Sequence, residues 1–374
     1  MKYVIVAGAR PNFMKVAPIL DAFRSARSEH SLILVHTGQH YDASMSGDFF
    51  RDLGLPQPDV ELCVGSGSHA EQTAKVMIAF ERFCLEHKPQ WVIVVGDVNS
   101  TVACALAAKK LGIGVAHVEA GLRSRDMSMP EEINRLCTDA ISDLLFTTEE
   151  SANINLAREG IPRERTFFAG NTMIDTLLRH IDAGRAVALP PPFQAGEYSV
   201  LTLHRPANVD SPELLQGLID ALEPVTSRMP VAFPVHPRTM SRLEKVRVPA
   251  SLICLEPMSY IHFLGLVANS RMVLTDSGGI QEETTVLGIP CVTLRDNTER
   301  PITCEMGTNI LAGTDPEHIR EVICSVLRSP KRLGRVPPRW DGKAGQRIAD
   351  VLLMRGAADA PTADQALAVA VGQD

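Results

Sequence analysis

Short apolar runs rich in β-branched residues, each followed by a helix-patterned stretch, recur in two series along this chain, and this alternation constrains the fold more than any other feature. The first series places strands at 3–7, 32–35, 92–95, 115–118 and 144–146. These runs are apolar at successive positions, so both faces of each strand are expected to be buried, as in a parallel sheet covered by helices on both sides. Helical spacing follows Pro11 through Met14, Ala17, Ile19, Leu20 and Phe23, and an alanine-rich helix is expected over about 100–110. The pattern then stops: Ala186-Val187-Ala188-Leu189-Pro190-Pro191-Pro192 cannot continue a helix. A second series follows at 198–203, 231–235, 251–255, 272–274 and 290–294. The chain therefore reads as α/β, two doubly wound Rossmann-like domains facing a cleft. The expected boundaries are 1–180, a linker at 181–197, a second domain at 198–355, and a mobile tail at 356–374 rich in alanine and small polar residues.

A length of 374 residues suits two domains of ordinary size. Hydrophobic residues make up 45%, enough for each half to bury a core without disulfides or metals. A net charge of −7 argues against a nucleic-acid partner, though local cations and helix N-termini still suffice for phosphate. The eight cysteines show no CxxC pair and read as small buried thiols in a reducing compartment. The first residues form a strand rather than a signal peptide, and no apolar run approaches the roughly 20 residues of a membrane span. A cytoplasmic protein is expected.

Open parallel sheets bind ligands beyond the carboxyl ends of their strands, so polar residues at those ends are the candidates for chemistry. Arg10 follows the first strand in a Gly-Ala-Arg-Pro turn and Lys15 lies in the next helical turns, where two cations would attract phosphate. Ser277, Gly278 and Gly279 repeat this logic in the second series, with glycines that let backbone N–H groups approach an anion as a helix begins. Glu282 and Glu283 follow, and a carboxylate there suits a ribose diol; as first-turn acids they would equally complement the helix dipole. Asp97 and Glu119 end two strands of the first series, and Glu131 opens the helix that begins after Met129-Pro130. Clustered carboxylates shift one another's pKa values and so divide into acid and base. His204 ends the strand 198–203, where it could bind a diphosphate or move a proton, and His236 is similar. The chain has no GxxxxGK[ST], GxSxG or HExxH motif, and no GxGxxG after its first strand. The residues thus imply an enzyme acting on a phosphorylated or nucleotide-linked substrate, with carboxylates for proton transfer.

Several blocks carry a closer resemblance. They include Gly8-Ala9-Arg10-Pro11 through Lys15, Thr37-Gly38-Gln39-His40, His117-Val118-Glu119-Ala120-Gly121-Leu122-Arg123, Pro130-Glu131-Glu132-Ile133-Asn134-Arg135, His204-Arg205, and Asp276-Ser277-Gly278-Gly279-Ile280-Gln281-Glu282-Glu283. In this order the chain resembles the non-hydrolysing UDP-N-acetylglucosamine 2-epimerases, whose fold is that of the GT-B glycosyltransferases. The resemblance implies an isomerase that interconverts UDP-GlcNAc and UDP-ManNAc. UDP would be eliminated to leave 2-acetamidoglucal and then added back, with no cofactor and no metal. Carried over by position, Asp97, Glu119, Glu131 and His204 would be catalytic. Arg10, Lys15, Met258, Phe263, Ser277, Gly278, Gly279, Glu283 and Arg300 would bind substrate. Gln39, His40, Arg205 and His236 fall where some bacterial members bind a second UDP-GlcNAc as activator. A homodimer with no membrane or nucleic-acid partner is implied as well.

Two departures from the family pattern bear on the substrate. Ala9 and Asn12 replace the usual threonine and glutamate around Arg10-Pro11, and Pro206-Ala207 replaces the usual pair after His204-Arg205. A diacetamido or uronic acid form of the sugar is therefore an alternative, alongside a hydrolysing epimerase or a GT-B glycosyltransferase.

Overall fold

The structure, a computed structural model, describes residues 1–26, 30–38, 53–235, 237–328 and 334–359. Gln39, His40, His236 and the expected tail beyond 359 lie outside the described residues, as do the side chains of Arg10, Pro206 and Ala207. The chain divides into two units, Met1–Thr176 with Pro338–Asp374, and Leu177–Pro337.

The first unit is built on a seven-stranded parallel sheet in the order β3-β2-β1-β4-β5-β6-β7. Its strands are β1 (Lys2–Ala7), β2 (Ser31–His36), β3 (Val60–Glu61), β4 (Trp91–Val95), β5 (Gly114–Ala120), β6 (Leu144–Thr147) and β7 (Thr166–Phe168). β4 and β5 are buried along their whole length, β4 as an unbroken apolar run and β5 with His117 and Glu119 buried among its apolar residues. β3 and β7 escaped the sequence reading because they are two- and three-residue edge strands, only partly buried.

The second unit has six parallel strands in the order β10-β9-β8-β11-β12-β13. They are β8 (Ser199–Thr202), β9 (Val231–Pro234), β10 (Leu252–Leu255), β11 (Met272–Thr275), β12 (Cys291–Thr293) and β13 (Asn309–Leu311). In both sheets the strand order reverses beside the unit's first strand, between β1 and β4 and between β8 and β11. Loops at such a reversal diverge and leave a crevice at the carboxyl ends, the usual ligand position in doubly wound sheets.

The domain boundaries differ from those expected. The division falls inside the helix Thr172–Ala186, and the segment 181–197 belongs to the second unit, where Phe193 is buried and packs on Tyr198 at 5.1 Å between ring centroids. Residues 338–359 return to the first unit instead of completing the second. The helix Ala344–Asp359 lies against the helix Arg10–Ser25, and Leu352 supplies a carbonyl to the Tyr3 hydroxyl at 3.0 Å. Trp340 donates from its indole to the Thr148 carbonyl at 2.9 Å, burying a large ring in the first unit. The thiols also differ from expectation: all eight cysteines are free, but only Cys84, Cys104 and Cys291 are buried, while Cys63, Cys137 and Cys254 are exposed. No helix among the described residues is long and apolar enough to cross a membrane.

Candidate active site

In the first unit, two predicted acids stand at the ends of paired strands. β4 and β5 run in register from Trp91↔Gly114 to Val95↔Val118, and Asp97 and Glu119 follow at their carboxyl ends. Glu119 occupies a register shift: Val118 pairs with Phe146 and Ala120 with Thr147, leaving Glu119 as the extra residue. Its φ of 72° is a conformation that costs a non-glycine residue of order 1–3 kcal/mol and that a bulge uses to re-aim a side chain. The buried Glu119 carboxylate meets the Lys15 ammonium at 2.5 Å. Lys15 comes from the helix Arg10–Ser25, so β1, β4 and β5 together bring residues 15, 97 and 119 to the carboxyl end of one sheet.

Asp97 is held differently. The Arg135 guanidinium, nearly fully buried, donates to Asp97 at 2.5 Å and to Glu132 at 2.6 Å. Asn134 donates to the Asp97 carbonyl at 2.9 Å. The helix Pro130–Ile141 thus clamps Asp97 through residues four and five from its start, while Glu131 lies exposed in its first turn. Glu132 has a structural job: its carboxylate also accepts the backbone N–H groups of Ser124 and Arg125, both at 2.9 Å. Buried His117 ties the same region together, meeting Asp139 at 2.6 Å and donating to the Gly96 carbonyl at 2.8 Å. Burial alone would raise the Asp139 carboxyl, but His117 and Arg123 outweigh it and hold it below the ordinary range. Gly96 has φ of 68°, and a Cβ there would stand 3.1 Å from the Lys15 ammonium nitrogen, so this turn needs glycine.

In the second unit, β8 and β11 pair through Thr202↔Thr275, and the two hydroxyls meet at 2.6 Å. His204 follows one strand and Asp276 the other. Ser277 stands at the N-cap position of the helix Gly278–Leu287 without a side-chain capping bond, its own N–H donating to the Thr275 hydroxyl at 2.9 Å. Gly278 and Gly279 form the first turn and stay partly accessible, with a Cβ at Gly278 falling 3.7 Å from the Arg300 guanidinium. Arg300 is buried and donates to Glu282 at 2.7 Å, so this cation is spoken for in part by a buried acid. Glu283 is fully buried and accepts from the Tyr260 hydroxyl at 3.1 Å. Burial pushes its carboxyl up to about 7, with Tyr260 opposing the rise and Glu282 adding to it. Met258 and Phe263 are partly buried against the apolar cluster that includes Ile280 of the same helix. Arg205 donates from its Nε to the Asp276 carbonyl at 3.2 Å and lies 3.5 Å from Glu299.

Three positioning residues had no role assigned from sequence. Arg135 was legible in retrospect, three and four residues beyond Glu132 and Glu131 on one helix face. Asp276 and Asn208 were not: each acts on a strand end brought close only by sheet order. The departure at Asn12 also finds its explanation here. Its side chain accepts the Ala9 N–H at 2.8 Å and donates to the Val95 carbonyl at 3.2 Å, closing the helix start against β4. Asn12 is spent on the backbone and is almost wholly buried.

Two Rossmann-like units of parallel strands, with polar residues at their switch points, define a two-domain α/β enzyme of the GT-B-like class. Within that class the chain belongs to the UDP-N-acetylglucosamine 2-epimerase family, whose model matches residues 24–353. It is 42% identical over 365 residues to the UDP-N-acetylglucosamine 2-epimerase of Methanocaldococcus jannaschii, covering 94% of this chain and 99% of that protein. The crystal structure of the M. jannaschii enzyme in complex with UDP-GlcNAc and UDP superposes with a TM-score of 0.87 at 41% identity, covering 95% of this chain and 100% of that one. Similarity extends equally to the UDP-2,3-diacetamido-2,3-dideoxy-D-glucuronate 2-epimerase of Pseudomonas aeruginosa, 41% identical over 358 residues, with 94% of this chain and 99% of that protein covered.

Proposed function

We propose that this protein is an isomerase that inverts C2 of the sugar in UDP-GlcNAc, giving UDP-ManNAc. The observation that carries the reading is the pair of acids at adjoining strand ends, Asp97 on Arg135 and Glu119 on Lys15. In the elimination step a carboxylate takes the C2 proton as the C1–O bond breaks. The electron pair of that bond leaves with UDP, and a C1=C2 double bond forms in the 2-acetamidoglucal. In the return step a UDP oxygen adds to C1, and a second acid delivers a proton to the opposite face of C2. Asp97, Glu119 and Glu131 are the acids of this scheme. The C2 proton is only weakly acidic, so the departing phosphate charge must be met by fixed donors. Arg10, the Ser277-Gly278-Gly279 helix start, Arg300 and His204 are assigned to that task, and Glu283 to the ribose, with Met258 and Phe263 against the base. Work as a cytoplasmic homodimer, and activation by a second UDP-GlcNAc at Arg205, belong to the same reading and rest on the family resemblance.

A ¹H NMR time course of the protein with UDP-GlcNAc in D₂O tests it. Deuterium is expected at C2 of both sugars, with the two UDP-sugars approaching equilibrium. Stoichiometric UDP with free ManNAc would make it a hydrolysing epimerase, and no exchange without an acceptor would favour a glycosyltransferase.

A second reading has its own support: identity to the P. aeruginosa diacetamido-glucuronate epimerase is nearly the same as to the M. jannaschii enzyme. The same time course with the diacetamido uronic acid UDP-sugar decides between them by the ratio of kcat/KM.

A further inference from the structure

Asp276 sits at the end of β11 with no accessible surface, while the His204 side chain one strand away is 53% exposed. One carboxylate oxygen meets His204 Nδ1 at 2.7 Å. The other accepts the Arg205 N–H at 2.9 Å and the Asn208 side-chain amide at 3.1 Å, and the His204 N–H spans both oxygens at 3.2 and 3.1 Å. Asn208 is itself buried and donates also to the Leu294 carbonyl at 3.3 Å. Every group around Asp276 in this set is a donor or can be one. Burial would raise the Asp276 carboxyl, but the bond to His204, the charge of that ring and the two backbone N–H groups outweigh it and keep it below the ordinary range. An ionised carboxylate can only accept, so His204 Nδ1 must carry the hydrogen. Nε2 is then the nitrogen left for chemistry on the exposed side of the ring.

We propose that Asp276, braced by Asn208, is a positioning residue that fixes His204 in the Nδ1–H tautomer and so presents Nε2 to the diphosphate of the substrate. The inference rests on the reading of His204 as a group that acts on the leaving UDP. Its logic is that of other carboxylate–histidine pairs, in which the acid sets the tautomer and orientation of the ring without giving up its own charge. It also explains why a fully buried position is spent on a charged residue at the first place beyond β11, immediately before the phosphate-type turn Ser277-Gly278-Gly279. The one residue serves both: its carboxylate orders 204 and 205, and its carbonyl receives Arg205 Nε at 3.2 Å.

The tautomer is read directly by ¹⁵N–¹H correlation of the His204 ring in the full-length protein, assigned with His204→Gln, at a pH where the ring is neutral. The wild type is expected to show a protonated Nδ1 and a bare Nε2. A dominant Nε2–H form would overturn the proposal without any variant of Asp276. Asp276→Asn keeps an oxygen for the backbone donors but turns an N–H toward Nδ1, which must then accept, so the ring is expected to switch to Nε2–H. In steady-state assays with UDP-GlcNAc, Asp276→Asn is expected to lower kcat on the order of 10²-fold, the lower end of what positioned acid–base groups contribute, with KM changed far less. In the His204→Asn background the same change is expected to add almost nothing, because the group it positions is gone. Losses that multiply in the double variant would overturn the pairing. Full activity in His204→Asn alone would instead remove the role given to His204, while the ring spectrum still decides whether Asp276 sets the tautomer.

Discussion

The two units place acids at the same kind of position and use them in opposite ways. In the first, the ends of neighbouring strands β4 and β5 carry Asp97 and Glu119, each gripped by a cation, Arg135 or Lys15. In the second, the ends of neighbouring strands β8 and β11 carry His204 and Asp276, and the acid is gripped by backbone N–H groups, an amide and an imidazole. One unit strains its backbone to aim a carboxylate, through the bulge and positive φ at Glu119. The other keeps its strand regular and uses the carboxylate to aim something else. The partner of the acid, more than its place in the sheet, separates a carboxylate proposed for chemistry from one that positions a neighbour.

The largest effect should come from the acid at the bulge. Glu119→Gln is expected to lower the rate of C2 deuterium exchange by about 10²–10⁴-fold while UDP still binds; exchange within tenfold of wild type would break the contrast. Next comes the cation that clamps the other strand-end acid, Asp97. Arg135→Met leaves Asp97 and the buried Glu132 without their guanidinium, a change expected to cost about 3–5 kcal/mol in urea unfolding. A loss under about 1 kcal/mol would mean the clamp is dispensable.

The acids of the second unit should respond to pH instead. Glu283 meets a phenol, that of Tyr260, and burial pushes its carboxyl up to about 7 from an ordinary value of 4.5. Between those values the native state holds a proton that the unfolded chain has released. The stability advantage of wild type over Glu283→Gln is therefore present in full below about pH 4.5 and lost as the pH rises through about 7, a swing of up to about 3 kcal/mol. Unfolding free energies of the two proteins from pH 4 to 8 trace it, and a difference that grows with pH would reverse the assignment. The smallest effect is expected at Asn208→Ala, about 2 kcal/mol, since one neutral donor to a charged acceptor is lost while the backbone donors to Asp276 remain. A loss equal to that of Arg135→Met would erase the distinction between cation and amide.

Much of this arrangement was legible before any coordinates. The central strands announced themselves because burial on both faces leaves an unbroken apolar run, as in 92–95, or one interrupted by a single buried polar residue, as at His117 in 115–118. Edge strands such as Val60–Glu61 and Thr166–Phe168 did not, because they are short and half-covered. The candidate acids at 97 and 119 were legible as polar residues where strand runs end, and Glu131 as an acid at a helix start. The linker and second-domain boundaries were less so. Proline at 190–192 halted a helix, yet Phe193 beside it is core, and the chain beyond Pro338 packs on its own first helix.

The amino-acid sequence by itself determined the two doubly wound sheets, the family, and the residues standing at strand ends. Hydrophobic periodicity and local turn chemistry act over a few residues, and the chain records them directly. Only the tertiary structure decided which of those residues meet. Sheet order sets β1 beside β4 and β8 beside β11, so Lys15 reaches Glu119 and Asp276 reaches His204 across 104 and 72 positions of chain. No local pattern encodes such a pairing, because it is fixed by how strands far apart in sequence come to lie side by side.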